Sequence, residues 1–173
     1  MGDCGELCNF ASSYSIKEVR VERFIGNTEA KMDAKGRVFV PSPFRKILQQ
    51  EGDNKLILRR DVYQPCLVLY SESVWNHELD ALTSRLSRYN PSHQMLLRQF
   101  VAEAVVATLD ANGRILIPRR LLQAASIDEN VRFLGMDTTI EIWNADHTQE
   151  PFMDPEEMMR QMAKILGNKE DSL

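Results

Sequence analysis

The chain reads as a β-rich α+β fold, in which two similar halves build one pseudo-twofold barrel and helices pack outside it. Three observations predict this. First, Asp33-Ala34-Lys35-Gly36-Arg37-Val38-Phe39-Val40-Pro41 returns as Asp110-Ala111-Asn112-Gly113-Arg114-Ile115-Leu116-Ile117-Pro118, at a constant offset of 77 positions (110 − 33). Asp, Ala, Gly, Arg and Pro match by type, and the three residues between Arg and Pro are apolar both times. Such self-similarity constrains the architecture before any single element does. Second, each half alternates apolar and polar residues with the period of a half-buried strand. Third, the stretch between the copies has a helical period instead. One hairpin of this size is marginal alone, so both copies are expected to contribute to one core.

Taken in order, residues 1–22 have no clear period and are expected to form a poorly ordered extension. Phe24-Ile25-Gly26-Asn27 opens the structured part, with Gly26-Asn27 as a turn or bulge. Each repeat copy is expected to be a β-hairpin. Ala30 and Met32, like Ala107 and Leu109, alternate into the turn. Asn112-Gly113 is a two-residue primed-turn signal, because Gly tolerates positive φ. Lys35-Gly36 repeats it with a weaker residue before Gly. Asp33 and Asp110 can accept bonds from turn N–H groups and hold the loop. Beyond the turn, Val38 and Val40 face one way and Arg37 and Phe39 the other; Ile115 and Ile117 oppose Arg114 and Leu116 likewise. Pro41 and Pro118 end the strands and open short helical turns at 44–48 and 121–125.

After a loop at 49–54, strands are expected at 55–60 and 66–70, the second apolar enough to be buried on both faces. Ser71-Glu72-Ser73 caps a helix reaching about residue 89, with Trp75, Leu79, Leu82, Leu86 and Tyr89 as its stripe. Asn90-Pro91-Ser92 breaks it. A second helix takes 93–103, with Met95, Leu96, Phe100 and Val101 inward. Strands at 105–109, 131–134 and 139–143 repeat the first half. A tail helix covers 156–166. The organisation is thus an extension at 1–22, a first repeat at 24–70, a helical-hairpin insert at 71–104, a second repeat at 105–148 and a C-terminal helix and tail at 149–173.

The totals narrow the function. At 173 residues, with 43% hydrophobic and 27% charged residues, the chain is an ordinary soluble protein of one domain or two small ones. A net charge of −4 excludes a uniformly basic surface. The charge is uneven, however. Residues 31–60 hold eight Lys or Arg against three acids, and residues 150–173 hold six acids against three bases. A local basic face is therefore possible. Cys4, Cys8 and Cys66 are an odd set, which fits reduced thiols in a cytosolic protein rather than a disulfide framework. No apolar run is long enough to span a bilayer, and no signal-peptide core opens the chain. His77, His93 and His147 are scattered and do not make a metal site. No phosphate loop, nucleophile elbow or zinc-protease motif is present, so neither a cofactor nor a small-molecule substrate is expected.

The duplicated D-x-x-G-R-hydrophobic-x-hydrophobic-P motif resembles the MraZ family of the AbrB-like DNA-binding group. Gly26-Asn27 before copy one, Phe44-Arg45 after it, and the paired helices with Arg98-Gln99-Phe100 ahead of copy two carry the same resemblance. The likeness runs from Phe24 to about Lys164, and the extension at 1–22 lies outside the family pattern. The resemblance implies a double-split, swapped-hairpin β-barrel. It also implies a cytoplasmic, nucleoid-associated homo-oligomeric ring that binds short direct repeats in the promoter upstream of a division and cell-wall gene cluster. It makes Arg37, Lys35 and Arg114 DNA contacts. Copy two departs from copy one by placing Asn112 where copy one has Lys35, so the two loops are expected to contribute unequally.

The residues allow other readings. Arg37 and Arg114 could simply staple their turns to Asp33 and Asp110; both roles are expected, with DNA contact favoured for Arg37. Gly36 and Gly113 serve the turns. Arg59-Arg60, Arg119-Arg120, Lys31 and Arg45 are expected on solvated faces. Two equivalent aspartates resemble an acid-protease dyad, but that chemistry wants a hydroxyl residue and Gly directly after Asp, and here Ala follows. An antitoxin-like AbrB relative that works by protein interaction is the second class. Its usual single half and separate tail do not match this duplication.

Overall fold

The computed structural model describes residues 23–50, 55–146 and 152–167. Residues 1–22 and His147 of the expectations above fall outside them, as does most of the loop after residue 50. In chain order the elements are β1 (Asn27–Lys31), β2 (Arg37–Phe39), α1 (Ser42–Gln50), β3 (Leu56–Arg60), β4 (Leu67–Ser71), α2 (Glu72–Thr83) and α3 (Pro91–Ala102). They continue with β5 (Val105–Ala107), β6 (Arg114–Leu116), α4 (Arg119–Ala124), β7 (Asn130–Met136), β8 (Thr139–Asn144) and α5 (Pro155–Gly167). This is a mixed α+β fold around a large antiparallel sheet.

The strands form two ladders. One is a six-stranded sheet in the order β1-β7-β8-β4-β3-β5; the other is the two-stranded ribbon β2-β6. Substituting each strand by its counterpart in the other half (β1 for β5, β3 for β7, β4 for β8) leaves the six-stranded order unchanged when read backwards. The ribbon obeys the same symmetry: Val38 faces Ile115, Arg37 faces Leu116 and Phe39 faces Arg114. A pseudo-twofold axis therefore passes between Val38 and Ile115.

This arrangement corrects the hairpin expectation. β1 and β2 meet only at their shared turn, where the Asp33 N–H donates to the Arg37 carbonyl at 2.8 Å. Beyond it β1 pairs with β7 and β2 with β6. In the same way β5 pairs with β3 of the other half. The physical reason lies in the apolar positions. Val38 and Ile115 both reach 0% exposure when paired with each other at the centre of the ribbon. No hydrogen-bonded closure joins the two ladders into one barrel among the described residues.

One core joins the halves. It contains Phe24, Phe44 and Leu48 from the first half with Val131, Phe133, Ile140 and Ile142 from the second. Phe24 and Phe44 pack edge to face at 5.8 Å. β4 is buried along Leu67-Val68-Leu69, as its unbroken apolar run requires in a central strand.

The helical insert differs from its expected bounds. α2 stops at Thr83, not near residue 89. There the Thr83 and Ser84 hydroxyls donate back to the Asp80 and Ala81 carbonyls, drawing the chain out of the helix. Tyr89 is consequently 94% exposed. α3 starts two residues early because Pro91 suits a first helical position and Asn90 caps it, accepting from the Ser92 N–H at 2.9 Å. Met95, Leu96 and Val101 face outward, against expectation, whereas Phe100 stacks on Trp75 with centroids 5.5 Å apart. Arg59 is not on a solvated face either. It is buried, with its guanidinium 4.0 Å from the centre of the Phe100 ring.

Candidate nucleic-acid interface

The repeated motif builds two loops with the same geometry. In loop one the Gly36 N–H donates to the Asp33 carbonyl at 2.9 Å; in loop two Gly113 donates to Asp110 at 2.9 Å. Each is a four-residue turn with Gly in the left-handed region, at φ 84° and 79°. Asn112 does not share that region, so the Asn112-Gly113 signal marks a three-residue loop closed by a Gly bulge rather than the two-residue primed turn expected.

The aspartates hold both loops. Asp33 Oδ1 accepts from the Lys35 and Arg37 N–H groups, each at 2.9 Å. Asp110 Oδ1 does the same for Asn112 and Arg114. The remaining oxygen takes the arginine Nε, at 2.7 Å for Arg37 and 2.8 Å for Arg114. The backbone bond from Arg37, with help from its side chain and the Lys35 N–H, holds the Asp33 carboxyl below its ordinary pKa. The backbone bond from Arg114 leads the same effect at Asp110. Both carboxylates stay charged at neutral pH, and each loop keeps a fixed arginine.

That clamp engages only Nε. The Nη nitrogens of Arg37 and Arg114 make no hydrogen bond among the described residues. The staple therefore leaves the outer nitrogens without a partner among the described residues, on side chains 36% exposed for Arg37 and 22% for Arg114. Ala34, Lys35, Ala111 and Asn112 are exposed at the loop tips. The ribbon register then places Arg37, Phe39, Arg114 and Leu116 on one face, since facing residues of paired strands share a side. Phe39 and Leu116 are 54% and 55% exposed, while Val38 and Ile115 fill the opposite, buried face. The two arginine Cα atoms are about 8 Å apart by strand geometry.

The loops also reach each other's helices. The Val40 N–H donates to the Gly113 carbonyl, and the Ile117 N–H donates to Gly36. The chain leaving β2 thus passes loop two before it enters α1, and the chain leaving β6 passes loop one before α4. Arg119 and Arg120, at the start of α4, are exposed as expected. Arg45 of α1 is not: it is half-buried against Gly113. Sequence reasoning missed this position. The offset of 77 pairs it with Leu122, but every residue from 42 to 48 differs from its counterpart at 119–125, so the repeat itself gave no signal that singles out Arg45.

Other features lie elsewhere. A cavity of about 900 Å³ is bounded by Tyr63, Leu82, Met95 and Phe100 beside Arg59. No grouping of three or more His, Cys, Asp or Glu side chains suited to a metal occurs among the described residues. No described helix is long and apolar enough to cross a membrane. Cys66 is a buried free thiol whose pKa is pushed up by burial.

A duplicated α+β chain with two Asp-clamped arginine loops beside an exposed ribbon is a defined class of scaffold. The family model of the MraZ protein, whose description adds an antitoxin-like resemblance, matches residues 24–99 and again 100–161. The chain belongs to the MraZ family. It is 53% identical over 145 residues to the transcriptional regulator MraZ of Phocaeicola vulgatus, covering 84% of this chain and 94% of that one. The Bacteroides thetaiotaomicron protein of the same name is 51% identical over 147 residues, covering 85% and 94%. That of Christiangramia forsetii is 32% identical over 145 residues, covering 83% and 93%. The family is one of transcriptional regulators rather than enzymes.

Proposed function

We propose that this protein is a sequence-specific DNA-binding regulator of transcription that lays the β2-β6 ribbon and its two loops on duplex DNA. The observation that carries this reading is the exposed ribbon face, whose register puts Arg37 and Arg114 on the same side of two paired strands. A major groove roughly 12 Å wide admits a two-stranded ribbon, and an arginine there can grip guanine O6 and N7 with two bonds. Asp33 and Asp110 fix the arginines through Nε and leave the outer nitrogens for bases. Lys35, at one tip, reaches phosphate as a point charge, and Asn112, at the other, offers an amide. The acidic total does not oppose this, because each subunit presents only a small basic edge.

In this reading the halves exchange strands as a swapped-hairpin barrel does, and copies of the chain assemble into a homo-oligomeric ring in the cytoplasm, on the nucleoid. One module reads few base pairs. Several modules on short direct repeats gain through effective concentration, by on the order of 100-fold or more. The promoter upstream of a division and cell-wall gene cluster is the proposed target. Its support is the resemblance of the duplicated motif; the names of the relatives support regulation of transcription alone. An antitoxin-like interaction module is the second reading, favoured by the exposed Met158, Met159, Met162 and Ile165 of α5. Co-purification of a small toxin in place of DNA binding would select it.

Arg37→Ala tests the first reading. Binding to a duplex of the region immediately upstream of its own coding sequence is expected to weaken by about 1–3 kcal/mol per site. Circular dichroism checks the fold. Unchanged affinity in a folded variant removes Arg37 from the interface.

A further inference from the structure

Among the positions where the two halves differ, 35 and 45 carry a cation in the first half and their counterparts carry none in the second, although α4 opens with Arg119 and Arg120 where α1 has Ser42 and Pro43. At the tip, copy one has Lys35 and copy two has Asn112; on the helix that follows the ribbon, the first half has Arg45 and the second has Leu122. Because the ribbon is antiparallel, α1 begins beside loop two and not beside its own loop. The helical cation of the first half is therefore delivered to the tip that lacks one.

The geometry of Arg45 supports more than packing. Its side chain covers Gly113 so closely that a Cβ there would stand 2.6 Å from Arg45 Cδ and 3.0 Å from Cζ. At the counterpart, Gly36, the nearest atoms belong to the ribbon itself, the Ile117 carbonyl oxygen at 2.9 Å and Leu116 Cδ1 at 3.8 Å. Arg45 Nη2 donates to Ser42 Oγ at 2.8 Å, three residues back at the start of α1. Among the described residues no carboxylate pairs with it, and its Nε is buried without a hydrogen-bond partner. A cation held beside an exposed tip by one hydrogen bond, with no counter-ion among the described residues, suits an anion from outside.

We propose that Arg45 is a phosphate-contacting residue of loop two, supplying from α1 the positive charge that Lys35 supplies within loop one. This rests on the DNA-binding reading above. Gly113, required first by its positive φ as Gly36 is, also leaves without a Cβ the space that the Arg45 side chain occupies.

The test compares full-length wild type, Arg45→Gln, Arg45→Gln with Asn112→Lys, and Lys35→Gln. Each is titrated with the upstream duplex across a salt series, and its fold is followed by circular dichroism. Arg45→Gln is expected to weaken binding on the order of fivefold and to lower the salt slope by about one per engaged subunit. Adding Asn112→Lys is expected to restore both, since the charge returns to the same tip. If Arg45→Gln does not fold, Arg45→Met keeps the aliphatic stem over Gly113 and replaces it in both arms. Unchanged affinity and slope for Arg45→Gln, with Lys35→Gln weakened, overturn the proposal and leave the DNA reading standing. Weakened binding that Asn112→Lys does not restore also overturns it, assigning Arg45 a packing role. If wild type shows no salt-dependent binding to the duplex, the DNA reading fails and carries this proposal down with it.

Discussion

Loop one and loop two share a backbone but not a neighbourhood. Their turn bonds, Asp clamps and positive Gly φ agree nearly number for number. Around them the surroundings diverge. Arg37 faces Leu116 and is the more exposed of the pair. Arg114 faces Phe39, whose ring lies 5.6 Å from its guanidinium, and is the more buried. Gly36 abuts backbone, and Gly113 abuts the Arg45 side chain. Duplication thus preserved what the turn requires of its own residues and let the contacts from elsewhere drift. What survives twice is the chemistry of the turn; what differs is which part of the other half leans on it.

Three experiments sharpen or break that comparison. The largest effect is expected at the symmetry axis. Ile115→Ala deletes a fully buried side chain from the ribbon centre and is expected to cost about 3 kcal/mol in denaturant unfolding. Val38→Ala, which removes less, is expected to cost less. If only one half lost its protection in hydrogen exchange, the shared ribbon would not be what couples the loops.

The glycines come next. Both substitutions by Ala meet positive φ, a cost of about 1–3 kcal/mol. Gly36→Ala also drives Cβ into the Ile117 carbonyl, which cannot swing away, whereas Gly113→Ala meets a movable arginine. Gly36→Ala is therefore expected to lower the melting temperature more. Equal losses would show that the two neighbourhoods are energetically alike.

The smallest effect is expected at the clamps. The folded carboxyls of Asp33 and Asp110 titrate below their ordinary value near 4, so their contribution is present above that value. It is lost as pH falls through the lowered folded value. Asp33→Asn and Asp110→Asn are each expected to flatten the fall in stability below about pH 4 by a similar amount. Unequal flattening would place a structural difference inside the turns themselves.

Much of this was legible beforehand. The repeat, the Gly that ends each turn, the Asp that holds it and the strand positions all follow from local chemistry. The helix bounds were less so. α2 ends where serine and threonine hydroxyls turn back on its own carbonyls, and that competition is weak in a pattern of apolar spacing. The outward Met95 and Leu96 of α3, and the buried Arg59 under Phe100, depend on where the insert docks, which no period encodes.

The sequence by itself determined that this protein has two copies of one Asp-clamped arginine turn, because every group in that turn lies within five residues of its partner. It also determined the burial of β4, whose unbroken apolar run suits a central strand alone. Only the tertiary structure decided that the strands beside each turn part company, that β2 pairs with β6 across the two halves, and that Arg45 therefore stands at the other copy's loop. Those outcomes turn on which distant apolar surfaces meet, and a pairing over 77 residues leaves no trace in the local pattern of either strand.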